Sequence, residues 1–214
     1  YCRKQLEDLV LSESADGPAR VQPCKSPVWD TAIAVRALAA GGLGADHPAV
    51  LRAIDWLVQR QITRPGDWSE TVAAEPGGWC FEFHNDFYPD VDDTAMVLMA
   101  IGELFRSPGV SAGELRASGH RLPARWLRVV PAQESEGAGP LPEPCDLFER
   151  AVRAVDRGLN WMLAMQNSDG GWGAFDRNNN RQFLCHVPFA DHNAMIDPST
   201  PDVTGRVLEA LGTL

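Results

Sequence analysis

The sequence lacks any apolar run long enough to cross a bilayer as a helix, and no secretory signal opens it. It also lacks basic character. A formal net charge of -10 and a pI near 4.9 argue against nucleic acid as a partner, since phosphate backbones need a basic surface. Contact with a membrane through apolar surface stays open. Cysteine is sparse: Cys2, Cys24, Cys80, Cys145 and Cys185 are odd in number and form no CxxC pair. Neither a disulfide framework nor a zinc site is indicated, and reduced thiols in a cytosolic setting are the expectation. Cys185, His186 and His192 lack a helical ligand spacing, so no metal site is assigned. Period-2 alternation of useful length is missing as well, which disfavours a sheet-based fold.

What is present is apolar material in helical phase. With 44% hydrophobic residues in 214, the chain can bury a large core as one unit. Tyr1 stands where an initiator Met would, and Leu214 interrupts a helical pattern, so the chain reads as part of a longer protein. Three stretches repeat: "VWDTAIAVRAL" (28–38), "DVDDTAMVLMA" (90–100) and "PDVTGRVLEAL" (201–211). Each pairs an acidic residue with Thr and an apolar run, and the helices they predict are apolar nearly all round. Between them lie helices with one apolar stripe, at Val50, Ile54, Leu57 and Val58, and at Phe148, Val152, Val155, Leu159 and Met162. Fully buried helices alternating with half-buried ones describe two concentric layers. Residues 107–146, rich in Gly, Pro, Ala and Ser, read as an irregular insertion. The loops after the outer helices repeat too, Gln61 with Gly66-x-Trp68 and Gln166 with Gly170-x-Trp172. A Gln amide can satisfy backbone groups at helix ends while an indole stacks over the turn, a structural staple.

Taken together these motifs resemble the squalene–hopene cyclase family. The Gln…Gly-x-Trp staples are similar to its QW motif, and Asp90-Val91-Asp92-Asp93-Thr94-Ala95 to its DxDDTA acid motif. "SPVWDTAIAV", "RQITRPGDW", "GGWGAFD" and "VPFADHNAMIDPSTPDVTGR" resemble it as well. The resemblance implies an all-α fold, part of an α/α (α6-α6) barrel, joined in the complete enzyme to a second α-barrel. It implies squalene as substrate, peripheral attachment to the cytoplasmic side of the cell membrane, no cofactor, and allows a homodimer.

The resemblance also assigns roles. Asp92 would donate a proton to an alkene, with Asp90 and Asp93 in support. Clustered carboxylates penalise ionisation, so one stays protonated; the conjugate base then needs a helix N-terminus, hydrogen bonds or a cation. Taken alone, Asp90 with Asp93 three residues on is also ordinary helix capping. Family members often carry His four residues after the acid that Asp202 matches, where this chain has Arg206. Arginine could stabilise the Asp92 carboxylate without titrating, or instead pair with Asp202 one turn away. Trp29, Phe81, Phe175 and Phe189 match cavity aromatics of the family, and Tyr88 and Glu82 are expected to flank the site. Aromatic faces stabilise cations by about 0.5–2 kcal/mol without bonding to them. His192 stands where Phe is common.

Two rival readings remain at this point. Another DxDD cyclase could act on a diterpenyl diphosphate or a sesquarterpene, though no basic cluster marks a diphosphate site. Met96 and Val97 are apolar where a DDxxD metal motif needs an acid. A catalytically silent helical-repeat domain would explain the helices but not the three acids.

Overall fold

The computed structural model describes residues 4, 10–12, 19–21, 25–45, 47–83, 85–106, 141–186 and 195–214. Among these, five α-helices form the body: α1 (Pro27–Ala40), α2 (Pro48–Gln59), α3 (Val91–Gly102), α4 (Pro144–Ala164) and α5 (Pro201–Thr213). Four of them begin with proline, whose missing N–H costs nothing in the first turn and whose fixed φ suits it. The fifth, α3, begins with Val91 behind an aspartate cap. A short antiparallel ribbon, β1 (Val10–Ser12) with β2 (Ala19–Val21), is the one departure from an all-α fold among the described residues. No described helix is long and apolar enough to cross a membrane.

The helices form two layers. α3 lies between α1 and α5, and these three make the inner layer; α2 and α4 back them and touch each other. Every residue of α3 is buried except Asp92. α1 and α5, at the two ends of the arc, are not apolar-covered all round: Ile33, Leu208 and Leu211 are exposed. The expectation of full burial therefore holds for α3 alone, because only α3 has a neighbour on both flanks.

The stripe read on α4 holds in part: Met162 is buried and Val155 and Leu159 pack at the margin of the core. Val152 is exposed, and the centre of the buried face is Leu147, Ala151, Ala154, Gly158, Trp161 and Met165. That centre was hidden because it is built in part from alanine and glycine. Those small residues let α4 come close: a Cβ on Gly158 would stand 2.9 Å from the Trp79 ring and 3.0 Å from Leu98. α4 also begins at Pro144, inside the stretch read as irregular, and residues 107–140 lie outside the described residues.

The staple register changes as well. Trp172 donates its indole N–H to Met162 O at 2.8 Å, and its backbone N–H to Thr204 Oγ1 at 3.0 Å. Trp79, not Trp68, repeats this: its indole N–H reaches Leu57 O at 2.7 Å and its backbone N–H Thr94 Oγ1 at 3.0 Å. Leu57 and Met162 each precede the staple glutamine by one helical turn, and "GGW" occurs at both places. Trp68 instead packs edge-on against Trp161 at 5.9 Å. It belongs to a loop that this repeat carries and the next does not. Each bracket ties the end of an outer helix to the first turn of an inner one.

Gln61 is buried and donates to Gly77 O at 2.8 Å and Ala154 O at 2.7 Å, whereas Gln166 makes one bond, to Gly170 O, near the surface. Replacing Gln61 by Leu removes both bonds and takes the Gln61 donor from Gly77 O, at about 1–3 kcal/mol. Urea unfolding is expected to show a large fall in midpoint for Gln61→Leu and a small one for Gln166→Leu. Equal shifts would contradict this assignment.

Candidate active site

The acids sit where backbone geometry puts them. Asp90 is the N-cap of α3, in extended conformation, and its Oδ1 accepts the Asp93 N–H at 2.6 Å. The Asp90 N–H donates to Trp79 O at 2.9 Å, and its carbonyl accepts the Thr94 hydroxyl at 2.7 Å. Thr94 thus joins the Trp79 bracket to the cap, and all four groups are buried. Helix phase then turns Asp93 inward and leaves Asp92 on the open side.

Asp92 meets Arg206. The guanidinium on α5 donates to Asp92 Oδ2 at 2.9 Å, with both side chains about a third exposed or less. The same guanidinium lies 4.8 Å over the Trp29 ring of α1. Arg206 is therefore clamped between an anion and an aromatic face, joining α1, α3 and α5 at one point. It forms no ion pair with Asp202, which is exposed at the start of α5 and acts on Asp92 only through its charge. Because Arg206 occupies one face of Trp29, that ring serves first to hold the guanidinium, a use the sequence did not reveal.

Burial raises all three carboxyls. Asp90 is pushed well above the carboxylate range by burial and then by the negative charge of Asp93. Asp93 is raised to about 6, chiefly by burial, against the opposing hydrogen bond with Asp90. Asp92 is raised by burial, opposed by Arg206 and reinforced by Asp202. Asp92 Oδ1 and Asp93 Oδ1 are buried with no hydrogen-bond partner among the described residues. An ionised oxygen in that setting is costly, so a proton there is favoured.

A cleft of about 390 Å³ opens over the acids. Trp29, Phe81, Glu82, Tyr88 and Phe175 line it with Asp90, Asp92 and Asp93. The structure thus brings together every site residue read from the sequence except Asp202 and Phe189, with Arg206 joined to Asp92 beside the cleft. Phe189 and His192 lie outside the described residues. Asp197 is a residue that sequence reasoning missed. Its carboxylate accepts the N–H groups of Ala174, Phe175 and Asp176 at 3.0, 2.6 and 2.7 Å. No local signal marks it, since those partners lie more than twenty positions away along the chain.

A second cleft, of about 480 Å³, lies further along the inner face, lined by Ile33, Arg36, Met96, Glu103 and Arg106 among others. Arg36 donates to Glu209 at 2.6 Å and passes 3.9 Å from the Met96 sulfur, so an ion pair from α1 to α5 arches across α3 one turn beyond Asp92.

The raised pKa of Asp93 fixes the sign of a pH effect. The folded chain binds that proton more tightly than the unfolded one, so the stabilisation is complete below about 3.8 and lost as pH rises through about 6. Urea titrations between pH 4 and 7 are expected to show wild-type stability falling across this window. Asp93→Asn, which cannot titrate, is expected to flatten the fall.

Comparison with known proteins agrees with this arrangement. The sequence profile of the squalene-hopene cyclase C-terminal domain matches residues 25–134 and 146–214, leaving a gap narrower than the stretch read as irregular. A squalene–hopene cyclase of Bradyrhizobium diazoefficiens is 36% identical over 99% of this chain and 26% of its own length. That of Alicyclobacillus acidocaldarius is 39% identical over 88% of this chain and 24% of its own. A squalene-hopene cyclase of Schizosaccharomyces japonicus is 36% identical over 96% of this chain and 26% of its own. The chain spans about a quarter of the length of these relatives. With the match running through all five helices, the chain belongs to the squalene-hopene cyclase family and carries part of its C-terminal domain.

Proposed function

We propose that the full-length protein cyclises squalene, starting from a proton that Asp92 delivers to an alkene. The observation that carries this reading is the one opening in α3: its sole unburied residue is an acid, raised by burial and backed by a fixed cation. The proton leaves the Asp92 carboxyl while Arg206 stays bonded to it through Oδ2. The alkene π pair forms the new C–H bond and leaves a tertiary cation. The electron pair remaining on Asp92 is stabilised by Arg206 and by the dipole at the N-terminus of α3.

The two demands on the acid are met by different groups. Burial shifts Asp92 toward its protonated form, and Arg206 keeps its conjugate base from being prohibitively unstable. Phe81, Tyr88 and Phe175 then offer π faces to the advancing cation without a nucleophile to trap it. Remaining helices of the barrel would close the cleft, exclude water and bind the hydrocarbon, as the cascade requires. Squalene dissolves in lipid and not in water, so the reading carries with it peripheral attachment to the cytoplasmic face of the membrane.

A diphosphate substrate fits less well. The cleft presents Glu82 and three aspartates, and the nearest cation is already committed to Asp92. A silent repeat domain fits less well too, since three carboxyls in one buried helix start cost stability that no packing role repays.

The test is turnover of squalene in detergent by the full-length protein. Asp92→Asn is expected to lower it at least about a thousandfold. Arg206→Gln is expected to lower it about a hundredfold, with the acid's titration moved to higher pH because the opposing cation is gone. Trp29→Leu, which frees Arg206, is expected to lose about tenfold. Unchanged product yield from Asp92→Asn would remove the proposed acid.

A further inference from the structure

Phe175 is half exposed, so packing does not hold its ring over the acids. Its backbone is held instead. On one side the Asp197 carboxylate gathers three successive N–H groups, with Oδ1 taking Ala174 and Oδ2 taking Phe175 and Asp176. On the other side Val91, which separates Asp90 from Asp92, donates its N–H to Ala174 O at 2.8 Å. Asp197 is itself anchored, donating its N–H to Asn179 O at 2.7 Å. The fit is close: a Cβ on Gly173 would stand 2.8 Å from the Asp197 carboxylate, so only glycine is accommodated there.

We infer that Asp197 is a positioning residue that sets Phe175 against the first turn of α3 and so governs how far the cation travels before it is quenched. It lines no part of the cleft and touches no reacting atom. Its three bonds are charge-assisted and directional, which is what locates a strand of backbone that has no core of its own. The carboxylate also couples two things that must stay in register, the acid that starts the cascade and a ring that receives its charge. Asparagine at 197 keeps the shape but offers one acceptor oxygen in place of two, so part of the cradle is lost. This inference rests on the cyclase reading above.

The experiment compares products from squalene made by full-length wild type, Asp197→Asn, Phe175→Ala and the double variant, each shown folded by circular dichroism. The ratio of partly to fully cyclised hydrocarbon does not depend on how much enzyme is folded, so a merely structural role would leave it unmoved. Asp197→Asn is expected to raise that ratio severalfold, with total turnover reduced about tenfold. The double variant is expected to match Phe175→Ala alone. A folded Asp197→Asn with the wild-type ratio, or a Phe175→Ala with the wild-type ratio, overturns the inference. Amide exchange in the wild type tests the cradle without a variant. Protection of the Phe175 and Asp176 amides supports it, and free exchange there overturns it. Wild type that leaves squalene unchanged refutes the cyclase reading and this inference with it.

Discussion

One helix is buried along its whole length except at one side chain, and the rest of the structure follows from that. α3 has protein on both flanks and behind it, so its interior is apolar and its only polar demands arise at its ends. Unpaired N–H groups at the start attract acids, and the sequence supplies three. Two turn inward, where Asp90 satisfies the Asp93 N–H and both carboxyls hold protons beyond the usual range. The third meets solvent and a guanidinium. Helix phase alone therefore divides one acidic cluster into a capping pair and an accessible acid.

The Trp-Thr brackets explain why this division is stable. Trp79 and Trp172 perform the same two bonds, closing an outer helix with the indole and engaging an inner-helix threonine with the backbone. At the first bracket the threonine hydroxyl passes its own hydrogen to the Asp90 carbonyl. Outer layer, staple and acid are thus mechanically continuous. Small residues on α4, Gly158 among them, allow the approach that makes those bonds short.

How much of this was legible in the sequence depends on the range of each interaction. The two layers, the inner helices and the acid motif were readable, because helical period and motif spacing are local. Arg206 was legible as an oddity, though only the fold decides between Asp92 and Asp202 as its partner. The centre of the α4 face was not, since alanine and glycine give weak apolar signal and their meaning comes from what packs on them. The role of Trp79 was obscured by the extra loop before it, which shifts the spacing from Gln61; the shared "GGW" was the available clue. Asp197 was beyond reach, because its partners are distant along the chain and adjacent only in space. Trp29 lines the cleft and also carries a cation of the protein's own, a use that no local spacing announced.

The arch of Arg36 and Glu209 over Met96 bears on how α1 and α5 can turn. It stands one helical turn, about 5.4 Å, beyond Asp92, and joins the same two helices that Arg206 links through the Trp29 ring. One cross-tie would leave a pivot; two at different heights fix the rotation of the flanking helices as well as their separation.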